Sequence, residues 1–445
     1  MPENPVEILL QPRVGNMRCR NTCRLLCLIV VTALALRLAV IPFNNFEMLM
    51  NPDHLHAWEQ GNVAEALLAG QGFGSPFASI QPSAIMPPVY PLIVAVLFKI
   101  FGIHTTASIF AVHALNCLLN ALACFPIFLL ARNSFGERVA WWAAWGWAFS
   151  PYGIYFSAAW AWSTHMLLLC LCWLLYLSQK LEASPRLFLW AGFGGLAGFA
   201  GLVEPSVLTV APFLLILACR SLFRARRAWF MPLAVAGLSL LAALSPWMIR
   251  NAIVFHRFIP MRDSMGLEMW MGNNGYSLRW TSDQLHPLHD AQELADYDHM
   301  GELAYMKHKS QQASAYIKGH PAWYATMCIR RAVYLWTGFW SFNPDYLRME
   351  PMDPANIPFT TTMNLLAIFG LIAAWRKAPM ESIRFGGVLF LFPILYYFSH
   401  PEPYHLRPLD PLILILICHF LVSLRERSAL KAAAFAMEPI EAEVA

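Results

Sequence analysis

A chain of 445 residues, 58% hydrophobic and only 13% charged, with a mean hydropathy of +0.47, is too apolar for a soluble fold of this length. A net charge of +4 does not mark a nucleic-acid binder, and the bilayer is the expected solvent. The ten cysteines give no disulfide or zinc framework: Cys19, Cys23 and Cys27 recur every four residues, most others sit inside apolar runs, and no Cys-x-x-Cys pair occurs.

In chain order, Arg13, Arg18, Arg20 and Arg24 precede an apolar run over 25–43 that carries Arg37 and lacks a small-x-small cleavage site. We read it as a retained first span with a cytoplasmic start. Further spans of roughly 17–25 residues are expected at 107–130, 138–157, 160–177, 187–203, 205–219, 229–249, 358–375, 384–399 and 408–424. The run 88–103 is short, opens on proline and contains Lys99. If it does not cross, every strongly basic short turn falls on one side: Arg132 and Arg138, Lys180 and Arg186, Arg220 to Arg227, Arg376 to Arg384, and Arg425 to Lys431.

The expectation is therefore an all-α polytopic membrane protein with ten crossings, both termini cytoplasmic and 88–103 an interfacial or re-entrant helix on the outer side. Its parts are a cytoplasmic N-terminus (1–24), an N-terminal transmembrane module (25–249) with an outer loop at 44–106, an outer region (250–357), C-terminal transmembrane helices (358–424) and a cytoplasmic tail (425–445). Most acidic residues fall in the outer segments, which are rich in His, Trp and Tyr and too aromatic for disorder.

In the first outer segment, Asn51-Pro52-Asp53 is expected to open a helix that ends at Gly70. Ala57, Val63, Ala64, Leu67 and Leu68 form one side; His54, Glu59, Asn62 and Glu65 lie largely opposite, the pattern of a helix lying on the membrane surface. The plain reading is that Asp53 caps this helix while Glu59 and Glu65 are solvated. Glu204 separates two short apolar runs, and a carboxylate at that depth must face protein or water. It lines a donor groove or ends a helix. The spacings His54/His56 and His286/His289 could contribute to a divalent-cation site, although lone histidine pairs in loops are mostly plain polar residues.

Three ordered strings go further. They are Glu59-Gln60-Gly61-Asn62 with Gly70-Gln71-Gly72-Phe73 and Pro87-Pro88-Val89-Tyr90-Pro91; Ser245-Pro246-Trp247-Met248-Ile249-Arg250-Asn251 leading to Gly266-Leu267-Glu268; and Arg407-Pro408-Leu409-Asp410-Pro411. Together they resemble the GT-C glycosyltransferases, in the branch of protein O-mannosyltransferases, the bacterial aminoarabinose transferase and Rgt-like galacturonosyltransferases. That resemblance implies a GT-C-like fold and an inverting transfer of a sugar from a polyprenyl-phosphate donor to a glycan, lipid or protein acceptor on the outer face. It places the protein in the bacterial inner membrane with its active site toward the periplasm.

The resemblance also implies a first-loop carboxylate as catalytic base, and Glu59 and Asp53 are the candidates. The pattern is not complete: family members carry an Asp-Glu pair about where His56 and Ala57 stand, and Met86 replaces the lysine of the aminoarabinose transferase. Offsetting charge on a leaving phosphate needs cations, for which Arg250, Arg257 and Arg407 are the candidates, with His56, Tyr90, His405 and Glu204 in support. No cofactor is certain from the sequence; a divalent cation is the one that the histidine pairs could help to hold, and membrane lipids are the other expected partners. The rival reading is a carrier or flippase of lipid-linked sugars, which would be expected to show ionisable residues near mid-membrane and duplicated halves.

Overall fold

A computed structural model describes residues 5–44, 58–77, 79–275, 285–342, 344, 347 and 353–441, with side chains described from 21 to 43 in the first helix and to 429 in the last. Asp53, His54 and His56 lie outside the described residues. Within them the architecture is all-helical, with extended pairing limited to one bridge between Gly74 and Pro82. Among the described residues, eight helices are long and apolar enough to cross a membrane. They include α1 (Pro5–Asn44), and α2 (Glu59–Leu68) and α3 (Val89–Phe101) follow it in the first loop.

Next come α4 (Thr106–Leu122) with α5 (Cys124–Phe135), α6 (Glu137–Ala148), α7 (Pro151–Ala159), α8 (Thr164–Ala183), α9 (Leu187–Val203), a 3-10 turn (Pro205–Thr209) with α10 (Ala211–Arg224), and α11 (Phe230–Phe255). The second loop carries α12 (Met265–Gly272), α13 (Ala291–Met300), α14 (Glu302–Gly319) and α15 (Pro321–Thr337). The chain closes with α16 (Asp353–Lys377), α17 (Pro379–Leu391), α18 (Ile394–Phe398), a 3-10 turn (Pro403–Leu409) and α19 (Asp410–Glu441).

The expected span 138–157 is broken, and the break explains Arg37. Proline at 151 cannot continue α6, and the Ser150 hydroxyl accepts the Gly153 N–H (3.2 Å) to start α7. The Ala148 carbonyl loses its helical partner and that of Trp147 keeps only a turn bond from the Ser150 N–H (3.2 Å), which would be costly in hydrocarbon. The fully buried Arg37 guanidinium donates to both (2.8 and 3.0 Å), and also to Ala33 O and Asn120 Oδ1 (2.9 Å each). An arginine inside a span is thereby fully bonded.

Close packing elsewhere comes from small residues. Gly194 and Gly198, spaced four apart on α9, let its backbone meet α11, where a Cβ at Gly194 would overlap the Ala236 carbonyl. Helix α3 covers only about 20 Å, too little for the roughly 30 Å core. It packs back along α4, with the Tyr90 hydroxyl on Asn116, as expected for a helix that does not cross.

The two ends of the bundle differ. At one end the basic turns gather: Arg384 sits between Glu182 and Glu381, Lys377 pairs with Glu426 (3.2 Å), and Arg227 donates to Ala183 O (2.6 Å). At the other end the two long loops interlock. Glu302 accepts the Ala84 N–H (2.7 Å), Gln81 donates to Asp298 O (2.8 Å), and Asp263 N–H bonds Ala84 O (3.0 Å).

This interlocking corrects the surface-helix expectation for α2. Gln60 and Asn62 are buried along with Val63 and Ala64, and Asn62 donates to Pro76 O (2.7 Å), so loop 70–88 covers the side expected in water. The N-cap position of α2 is Trp58, whose side chain makes no capping bond and instead donates to Ala161 O (2.9 Å).

Candidate functional site

The loop end is organised around Arg262. Beyond α11, His256 adopts a left-handed conformation (φ 51°) that turns the chain back. Trp247 donates to Met261 O (2.6 Å) and Asn251 to Ile259 O (3.1 Å), folding the turn onto its own helix. Arg262 then lies over the break between α9 and the 3-10 turn, where Pro205 stops the helix and leaves Glu204 at its end. Its guanidinium donates to Glu204 (3.3 Å), Glu268 (3.3 Å) and Ile85 O (2.9 Å).

Glu268 in turn faces His400 Nδ1 (3.2 Å), whose other nitrogen faces Glu402 (3.8 Å). Glu402 and His405 form a capping box on the last 3-10 turn, and His405 stacks on Tyr396 (4.1 Å between ring centres). Tyr404 lies beside Trp160 and Trp162 (5.3 and 5.7 Å). Arg331 pins this corner by donating to the carbonyls of Gly272 and Phe398 and to Asn273 Oδ1 (3.1 Å). Gly272 is needed there, because a Cβ would overlap the Ser399 carbonyl.

One guanidinium thus holds two carboxylates in opposite electrostatic conditions. Burial pushes Glu204 above the usual carboxylate range, with Arg262 pulling against it. Burial acts on Glu268 in the same direction, but the hydrogen bond and charge of His400, with Arg262, bring it down to about 2. His400 is raised: burial disfavours its charge, and Glu268 and Glu402 outweigh burial. Neighbouring acids held apart in this way are the arrangement in which one donates and another accepts a proton.

Glu59 is drawn to the same place. It stands in the first turn of α2, and its charge bears on both Arg262 and Tyr404. His286 approaches it at 3.4 Å through Nε2, while His286 Nδ1 accepts the Leu288 N–H (3.2 Å). With Nδ1 accepting, Nε2 is the nitrogen that carries the ring's proton, close to the carboxylate but not in a hydrogen bond with it. The Phe77 ring edge holds the imidazole in place (5.0 Å).

Of the residues expected from the sequence, Glu59, Glu204 and His405 meet at this end of the bundle. The three arginines occupy three different surroundings. Arg250 donates to the carbonyls of Ser83 (2.7 Å) and Phe73 (3.0 Å) and lies over the Trp247 ring (4.9 Å), so it supports loop 73–83. Arg407 lies over Tyr152 (4.2 Å) and pairs with Asp410 (3.3 Å), beside a cavity of about 110 Å³ reaching Thr360 and Asn364. Arg257 is exposed on the turn after α11.

Tyr90 is buried among Ala64, Val94 and Phe98. His286 and His289 lie 5.8 Å apart by ring centres, and among the described residues no three His, Cys, Asp or Glu side chains are grouped to hold a metal. His400 was not singled out from the sequence, and Arg262 and Glu268 were not paired. Their six-residue separation spans the bend before α12, so no single periodicity relates them.

Residues 86–249 match the family model described as dolichyl-phosphate-mannose-protein mannosyltransferase. Two structures of the oligosaccharyltransferase of Archaeoglobus fulgidus superpose on the chain. The complex with Zn and sulfate gives a TM-score of 0.51 at 12% identity, over 92% of this chain and 52% of that one; the apo form gives 0.52 at 13%, over 93% and 52%. The chain spans about half the length of that oligosaccharyltransferase. ArnT from Cupriavidus metallidurans bound to undecaprenyl phosphate gives 0.40 at 13% identity, over 89% and 77%. Comparison with curated proteins finds no match.

Proposed function

We propose that this chain, which has the GT-C membrane fold, is an inverting glycosyltransferase that moves a sugar from a polyprenyl-phosphate donor to a hydroxyl-bearing acceptor at the loop end of the bundle. The observation that carries the reading is the cluster of Glu59, Glu204, Arg262, Glu268 and His400 at that end, bordered by Trp160, Trp162 and Tyr404. Flat aromatic faces suit the C–H face of a sugar ring. The match of 86–249 to a mannosyltransferase family model agrees with it.

In this mechanism Glu59 takes the proton of the acceptor hydroxyl, with the His286 ring beside it at 3.4 Å. The acceptor oxygen attacks the anomeric carbon from the face opposite the phosphate. The bond from that carbon to the phosphate oxygen breaks, and its electron pair leaves with the lipid phosphate. Arg257, the least committed of the three candidate arginines, holds the donor phosphate with a planar guanidinium before and throughout the transfer, while Arg250 and Arg407 shape the ground around it. Asp53 remains the alternative base.

The clustering of the basic turns supports a cytoplasmic basic end, and hence a periplasmic or external site in a bacterial inner membrane. Purified protein in liposomes with labelled polyprenyl-phosphate sugars tests the reading. A new glycosidic bond supports it; movement of labelled lipid between leaflets with no bond formed would establish a carrier instead. Cysteine at position 104 should be labelled from the site side, and cysteine at position 134 should not.

A further inference from the structure

A second feature lies on the flank of the bundle and is independent of the transfer chemistry. Helix α9 packs tightly on α11 through Gly194 and Gly198, while α10 leans on α8, so α10 and α11 stand apart on the outer surface. The gap is a groove of about 740 Å³. Its walls are Leu208, Leu215, Ile216 and Phe223 from one side and Leu233 and Leu240 from the other. From Leu208 to Arg220 it runs about 18 Å along α10, more than half of a bilayer's hydrocarbon core. Any occupant of such a wall is a hydrocarbon chain lying along the membrane normal.

The charge is all at one end. Arg220 is the single charged residue lining the groove, next to Trp229, an aromatic suited to the water–lipid boundary. Arg224, Arg226 and Arg227 follow in the exposed turn just beyond. No Asp or Glu occurs between Glu204 and Asp263, and Arg220, Arg224 and Arg226 have no ion pair among the described residues. This is the basic end of the bundle, remote from the Arg262 cluster, so a lipid whose phosphate reached the candidate site would have its headgroup at the wrong end of the groove. The complement of an apolar channel ending in uncompensated guanidinium groups is an anionic headgroup with a long acyl chain.

We propose that this groove seats an anionic phospholipid of the leaflet at the basic end, with one acyl chain between α10 and α11 and its headgroup phosphate on Arg220, Arg224 and Arg226. The guanidinium fork bonds phosphate oxygens in pairs, which gives the site a preference for negative headgroups beyond simple adhesion of chains. The bound lipid fills a gap that the protein's own side chains leave open, and so fixes the spacing of α10 from α11.

Native mass spectrometry of the delipidated full chain, titrated with phosphatidylglycerol and with phosphatidylcholine of the same acyl chains, tests this. The expected result is a preference of roughly tenfold or more for phosphatidylglycerol. Combined Arg220→Gln, Arg224→Gln and Arg226→Gln should bring phosphatidylglycerol down to the level of phosphatidylcholine. Leu215→Trp, which blocks the groove, should weaken both lipids, and Ile216→Trp, at a more exposed position, serves if the first variant does not fold. Equal binding of the two lipids overturns the proposal, as does charge-dependent binding indifferent to the groove variants. Loss of polyprenyl phosphate with phospholipid retained would give the groove to the donor's tail and also overturn it.

Discussion

Two clusters of one arginine between two glutamates sit at opposite ends of this bundle, and their surroundings separate structure from chemistry. At the basic end Arg384 is completely buried between Glu182 and Glu381, and the hydroxyl of Ser134 (2.8 Å) and the amide of Gln179 (2.9 Å) complete the shell of Glu381. Three helices are tied at one point, and no acid there faces a histidine. At the loop end Arg262 keeps 23% of its side chain exposed and Glu268 keeps 30%, and the acids are shared with His400. The same pairing of arginine with two glutamates makes a staple where it is sealed, and at the loop end it stays open to water and to an ionisable imidazole, as the proposed chemistry needs.

The sharpest way to break the contrast is to remove the arginine of the staple. Arg384→Ala leaves two buried acids without a cation and should cost about 3–5 kcal/mol of stability, seen as a large fall in Tm in detergent. Adding Glu182→Gln and Glu381→Gln should recover most of that loss. A chain that tolerates Arg384→Ala alone would show that the cluster is not a staple.

Glu59→Gln addresses the other end. We expect turnover to fall by at least roughly 10², with Tm little changed, because a general base contributes about that much and the amide keeps the shape. An active variant would move the role to Asp53. A smaller effect is expected for the phosphate: Arg257→Gln should raise KM for the donor with less change in kcat. Arg250→Lys, which breaks the bonds to Phe73 and Ser83, should lower both stability and turnover. Equal kinetic profiles for the two variants would dissolve that distinction.

The smallest effect is a pH dependence. The folded pKa of His400 is raised, so its pairing with Glu268 stabilises fully below about 6.5, the ordinary value, and is lost as pH rises through the raised value. Glu268, brought down to about 2, contributes above about 4.5 and loses its share as pH falls toward 2. His400→Gln should therefore flatten the alkaline side of a Tm–pH profile. An unchanged alkaline slope would show that the imidazole does not carry it.

The fold was legible because apolar runs and basic turns are bulk signals that survive without tertiary information. Helix α9, the stop at Glu204 and the short helix α3 all follow from them. The site was legible only in part. Glu204 could be singled out because a carboxylate between two apolar runs is conspicuous, and Glu59 only because it stands in a string that resembles the GT-C first loop. Arg262 and Glu268 come from one stretch and His400 from another more than a hundred residues on, joined only by folding, and His400 stands at a turn after α18 with no local pattern. The buried polar residues of α2 escaped for a related reason: Asn62 reads as solvent-facing until loop 70–88 is laid over it.

The bond from Arg37 to the carbonyls at 147 and 148 sets a timetable for biogenesis. A nascent first span carrying that arginine meets the translocon more than a hundred residues before its acceptors on α6 exist, so it enters lipid at a cost of roughly 2.5–3.5 kcal/mol. Until α6 is synthesised, the span should remain beside the insertion machinery or shift toward the interface. Chains truncated before 147 should show incomplete integration of the first span in a microsomal or inverted-vesicle assay, and chains extended past 160 should restore it. Full integration at both lengths would mean that the arginine is tolerated before its partners arrive.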